Sequence, residues 1–87
     1  MNLYLISQEE QTGYDTCDSA VVAAETKEAA RRIYPGEVDG FISSEEYWNK
    51  KYKNTWATDP KFVQVKYLGK ADSSIKPGVI CASFNAG

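Results

Sequence analysis

The run Ser19-Ala20-Val21-Val22-Ala23-Ala24 is apolar on both of its alternating faces. Such a strand belongs in the interior of a sheet, and its small side chains let another element approach closely. A chain of 87 residues has room for one such sheet and one covering layer, a single domain over 1–87. So short a chain buries only about 60–65% of its unfolded surface, which leaves a thin core. A deep internal cavity does not fit beside it. A functional site is therefore expected on a groove, a loop or a flat face.

The remaining elements follow from periodicity and punctuation. Leu3 and Leu5 alternate with Tyr4 and Ile6, predicting a first strand over 2–6, and the polar stretch Ser7 to Asp18 predicts a loop. Thr26 is a good helix N-cap, Glu28 suits the start of the helix, and Arg31 and Arg32 suit its end. Ala29, Ala30 and Ile33 make the apolar stripe, with Tyr34 at its edge, before Pro35-Gly36 stops the helix. Ser43 and Glu46 form a capping-box pattern that opens a second short helix over 44–52, with Tyr47, Trp48 and Tyr52 as its aromatic side. Asp59-Pro60 introduces a third strand from Phe62 to Leu68, where Val63, Val65 and Tyr67 alternate with Gln64 and Lys66. Pro77-Gly78 signals a turn into a last strand, Val79 to Phe84. The expected fold is α+β in the order β-β-α-(α)-β-β: a four-stranded, mostly antiparallel sheet with a short helix on one face. The link from the second to the third strand is long enough for a right-handed parallel crossover, should those two be neighbours.

The opening Met1-Asn2-Leu3-Tyr4-Leu5-Ile6 has no cationic residue before its short apolar run, unlike a signal peptide, and no stretch reaches membrane-helix length. Cys17 and Cys81 are far apart in sequence, which fits two reduced thiols, one on a loop and one in a strand, in a cytoplasmic protein. The charge is unevenly spread. Residues 1–26 hold Glu9, Glu10, Asp15, Asp18 and Glu25 and no basic residue, −5. The rest carries ten basic residues against seven acids, +3, for a net −2. Such asymmetry steers partners and does not set the fold.

The chain has no histidine, and so lacks the commonest general base and metal ligand. Asp15 and Asp18 beside Cys17 oppose a thiolate there, and no phosphate-binding, dinucleotide or nucleophile-elbow motif occurs. These features point away from an enzyme and call for no cofactor. The acidic loop from Glu9 to Asp18 lacks the ligand spacing of a calcium-binding loop. The most distinctive stretch is 47–56, in which Tyr47, Trp48, Tyr52 and Trp56 interleave with Lys50, Lys51 and Lys53. Rings and lysines so arranged suit single-stranded nucleic acid or a nucleotide, and they equally suit a protein hot spot. The same rings would also complete a thin core. Three clustered lysines and a pI near 5.0 favour a protein partner over nucleic acid. Glu9, Glu10, Asp15 and Asp18 form a second candidate surface, for a basic patch on a partner. A monomer and a homodimer are both compatible with these features.

Two stretches go further. Tyr14 to Thr26, leading into a short helix that ends at Ile33-Tyr34-Pro35, and the closing Gly78-Val79-Ile80-Cys81-Ala82-Ser83-Phe84-Asn85-Ala86-Gly87 together resemble a family of short proteins encoded by tailed phages and prophages. The likeness covers both ends of the chain, and such proteins vary in the middle, Glu37 to Asp59. The resemblance implies a context and no residue roles: a small accessory protein that binds a host protein complex, as anti-defence inhibitors of the anti-CRISPR kind do.

Overall fold

A computed structural model describes residues 1–11, 16–36, 42–53 and 55–85, the last two by backbone alone. It shows a four-stranded sheet with two short helices, the α+β arrangement expected. Strand β1 (Asn2–Ser7) pairs with β2 (Thr16–Ala24). Helices α1 (Lys27–Arg31) and α2 (Ser44–Asn49) and a 3-10 turn (Pro60–Phe62) follow, then β3 (Gln64–Lys70) and β4 (Gly78–Asn85). The spatial order is β3-β1-β2-β4, and every ladder is antiparallel. The second and third strands are therefore not neighbours, because β1 lies between them, and no parallel crossover forms.

Several boundaries shift for local reasons. Strand β2 starts at Thr16 instead of Ser19, since Thr16 and Cys17 pair with Asn85 and Phe84 of β4. Cys17 is thus enclosed in a strand, where a loop was expected. Helix α1 is short. Thr26 caps it, its hydroxyl accepting from Ala29 N at 3.1 Å. After Arg31 the chain tightens, with Arg32 and Ile33 donating to the carbonyls of Ala29 and Ala30. Pro35 disfavours helical backbone at Tyr34, so the helix cannot run on. Strand β3 starts two residues late because Asp59 first caps the 3-10 turn, accepting from Lys61 N at 2.9 Å.

The two faces of the sheet have different fates. On one, Tyr4, Ile6, Ala20, Val22 and Ala24 join Ala30, Tyr34, Tyr47, Trp56, Ala57 and Val63 in one buried cluster, edged by Val65, Val79 and Ala82. Helix α1 packs against β1, β2 and β3 on this side. The other face carries Leu3, Leu5, Val21 and Ala23, none of which belongs to that cluster. Three bulges interrupt the ladders, one of them at Asp18, between the pairs Cys17↔Phe84 and Ser19↔Ser83. In the other two, register passes from Tyr4↔Tyr67 to Leu3↔Gly69, and from Val21↔Cys81 to Val22↔Val79. Leu68 and Ile80 are the extra residues, so Leu68 stands with Gly69 opposite Leu3, and Ile80 with Cys81 opposite Val21. Gly69 takes φ +148°, open to glycine and strained for other residues.

Candidate binding surface

Helix α2 sets the geometry of the 47–56 segment. Its cap is Ser43, whose hydroxyl accepts from Glu46 N at 3.1 Å and donates to Glu46 Oε1 at 3.4 Å. The Ser44 hydroxyl accepts from Tyr34 N at 2.7 Å, joining the helix to the end of α1. Tyr47 then turns inward and stacks on Tyr34 with ring centroids 4.1 Å apart and planes 5° from parallel. Its hydroxyl donates to Ala57 O and accepts from Trp56 N, both at 3.0 Å. Enclosure in this apolar site pushes the Tyr47 phenol from 10.0 up to about 12, against the hydrogen bond from Trp56, which favours the anion.

The segment divides into scaffold and surface. Trp56 and Tyr47 are core, with no ring face offered to a partner. The indole N–H of Trp56 is enclosed without an acceptor. Trp48 is half-buried, and its Nε1 donates to Arg32 O at 2.8 Å. Lys53 curls back, its Nζ donating to Lys50 O at 2.6 Å. Lys50, Lys51 and Tyr52 are exposed, and Tyr52, at 74%, is the most open large hydrophobic side chain among the described residues. Lys51 Nζ stands 5.6 Å from the Tyr52 ring centre. Among the described residues the one ion pair is Arg31–Glu28, so neither Lys50 nor Lys51 meets a carboxylate there. Together they make a basic, aromatic tip at the C-terminal end of α2.

The acidic candidates do not gather in the same way. Glu9 is exposed. Glu10 is occupied, its carboxylate accepting from Thr58 N at 2.8 Å and from the Thr58 hydroxyl at 2.8 and 3.1 Å. Asp18 is half-buried within β2. Asp15 lies outside the described residues. Cys17 is enclosed, and its Sγ donates to Ser19 O at 3.4 Å. Among the described residues neither Cys17 nor Cys81 is joined in a disulfide. Among the described residues no three cysteine or carboxylate side chains gather in a way that would hold a metal ion. No helix there is long and apolar enough to cross a membrane.

Two glutamines that sequence reasoning passed over hold the tip's base in place. Gln8 is buried, and its amide donates to Cys17 O at 2.9 Å and Gln11 O at 2.6 Å while accepting from Gln11 N at 2.8 Å. Gln11 in turn donates to Lys53 O, and to Trp56 O at 3.3 Å. Cys17 N donates to Thr55 O at 2.9 Å, and the Tyr34 and Thr55 hydroxyls share a hydrogen bond of 2.8 Å. The stretch leaving the tip is thus tied to β2, to the β1–β2 connection and to Tyr34. A polar residue directly after an alternating strand, as Gln8 is after Ile6 and Ser7, was the available signal.

Open grooves on the described surface include two beside the helices. One is lined by Glu28, Arg31, Arg32, Asp59, Pro60 and Lys61, the other by Ile42, Ser43, Glu45, Glu46, Asn49 and Lys50. The second runs along α2 into the tip. Comparison of the chain with protein families, with curated proteins and with solved structures finds no match.

Proposed function

We propose that this chain is a non-catalytic binding protein that engages a host protein complex through the tip Lys50-Lys51-Tyr52. The observation that carries the reading is Tyr52. Every other ring of the segment is packed or tied, while this one stands 74% exposed beside two lysines that meet no carboxylate among the described residues. Tyrosine is enriched at interface hot spots, because it offers large contact area and a polar hydroxyl at low entropic cost. The partner implied is a protein surface with an apolar slot for the ring and carboxylates at its rim. Steering by the lysines would raise the association rate and make it salt-dependent. The likeness of the chain's two ends to phage accessory proteins supplies the context, in which the partner is a bacterial complex and anti-defence inhibition in the host cytoplasm is the role.

Single-stranded nucleic acid is the weaker reading, because successive bases need successive rings. Tyr47 and Trp56 are enclosed and Trp48 is tethered to Arg32, so Tyr52 is the one open ring of the segment. The test is affinity capture of the tagged chain from a bacterial lysate, wild type against Lys50→Glu/Lys51→Glu. Enrichment of one protein complex by the wild type, lost in the variant at unchanged melting temperature, supports the proposal. Equal capture by both, or capture of oligonucleotide alone, contradicts it.

A further inference from the structure

We propose that the groove between the end of α1 and the 3-10 turn binds the phosphate monoester group of a small molecule. This site is separate from the Lys50-Lys51-Tyr52 tip, and the inference stands without the binding reading. The groove has a volume of about 430 Å³, within the roughly 300–1,000 Å³ of small-molecule sites. Two walls supply its cations. The end of α1 gives Arg31 and Arg32, and the 3-10 turn gives Lys61. Arg31 is held in place. Its Nε donates to Glu28 Oε1 at 3.2 Å and one Nη to Val63 O at 2.6 Å, and the side chain is only 23% exposed. A guanidinium has five N–H donors, so three of those on Arg31 remain after these two bonds. Arg32 and Lys61 are exposed, and among the described residues neither meets a carboxylate.

The two acids of the groove are engaged in building it. Glu28 orients Arg31, and the Asp59 carboxylate accepts from Lys61 N at 2.9 Å, which fixes the turn and leaves the Lys61 ammonium unpaired. The lining then sets three cations against two acids. Nor does the end of α1 repel an anion as an open helix end does. Ala29 O, Ala30 O and Arg32 O already accept from Arg32 N, Ile33 N and Trp48 Nε1. The number of donors selects among anions. A carboxylate has two oxygens in one plane and is met by a single guanidinium fork. A phosphate monoester has three terminal oxygens and a charge near −2 at neutral pH, which matches three cations on two walls. A nucleic-acid strand carries one charge per phosphate and needs a longer basic track than these six lining residues provide. Pro60, beside Lys61, gives the rest of the small molecule an apolar contact.

The test is a titration of the isotope-labelled full chain with phenyl phosphate, followed through backbone amide shifts at about 50 mM salt, where exposed charges are only partly screened. The expected result is a saturable shift of the Arg31, Arg32 and Lys61 amides with a Kd on the order of 1 mM, the strength of a few charge-assisted contacts in an open site. Inorganic phosphate should move the same amides, and benzoate should bind more weakly than phenyl phosphate. Arg32→Gln/Lys61→Gln should weaken binding at least about tenfold and melt like the wild type, since both side chains are exposed. Lys50→Glu/Lys51→Glu should leave the Kd within about twofold, because neither lysine lines this groove. Shifts that stay linear to about 20 mM overturn the proposal. So does equal affinity in Arg32→Gln/Lys61→Gln, or benzoate binding as tightly as phenyl phosphate. An oligonucleotide that moves these amides when phenyl phosphate does not would give the groove to nucleic acid, and equally overturns it.

Discussion

Gln8 and Tyr47 are the two polar side chains on which most of the interior depends, and each makes a separate prediction. Gln8 satisfies Cys17 O and both backbone groups of Gln11 from a buried position. Gln8→Ala strands those groups away from water, at roughly 2–4 kcal/mol in a denaturant titration. Tyr47 predicts a pH response. Its phenol is held near 12 in the folded chain against 10.0 when exposed. Between those values the unfolded chain gives up a proton that the folded chain keeps, so stability falls as pH rises. The contribution is whole below about pH 10 and is lost through about pH 12, on the order of 2–3 kcal/mol. Tyr47→Phe should be less stable at neutral pH, because Trp56 N and Ala57 O lose their partner. It should show a shallower decline over that alkaline range. Parallel slopes for the two proteins would place the titration elsewhere.

At the scale of elements, the short helices owe more to their ends than to their length, since five or six residues have little helical stability in water. Thr26→Ala should cost about 1 kcal/mol through the lost cap. Gly36 guards the junction between the helices. A Cβ there would overlap the Tyr34 ring, which is stacked on Tyr47. Gly36→Ala should therefore displace the ring and cost at least the stacking energy, about 1 kcal/mol, read as a fall in melting temperature and a change in near-ultraviolet circular dichroism. The local signals in the sequence were faithful here for the Thr26 and Ser43 caps and the alternation of β1, whereas Asp59-Pro60 opens a 3-10 turn before the strand it was expected to introduce. What local chemistry could not reveal was pairing at a distance. Thr16 and Cys17 have no strand pattern, and they extend β2 only because β4 arrives beside them. Likewise, the bulges at Leu68 and Ile80 arise from ladder register, which no run of residues announces.

For the molecule as a whole, the sheet separates two surfaces with different chemistry. One side carries the helices, the Tyr34–Tyr47–Trp56 interior and the basic tip, and the other carries a polar row through Ser7 and Ser19 beside apolar rows through Leu5 and Val21 and through Leu3 and Ala23. The 47–56 segment was visible in the sequence as one aromatic and basic stretch, but its division was not. Tyr47 and Trp56 face inward because Gln11, Thr55 and Ala57 fold the chain back beneath α2, and all three act through contacts distant in sequence. That leaves Lys50, Lys51 and Tyr52 as the part free to meet a partner. Their cation–π contact is solvent-exposed and contributes about 0.5 kcal/mol at most to the fold.

This division is the central claim, and thermal unfolding of two variants tests it most directly. Lys50→Glu/Lys51→Glu/Tyr52→Ala should melt within about 3 °C of the wild type, as surface changes do in a domain of this size. Trp56→Ala should lose roughly 3–5 kcal/mol and melt about 15 °C lower or more, if it folds at all. A triple variant that melts as low as Trp56→Ala would make the tip part of the scaffold and contradict the account.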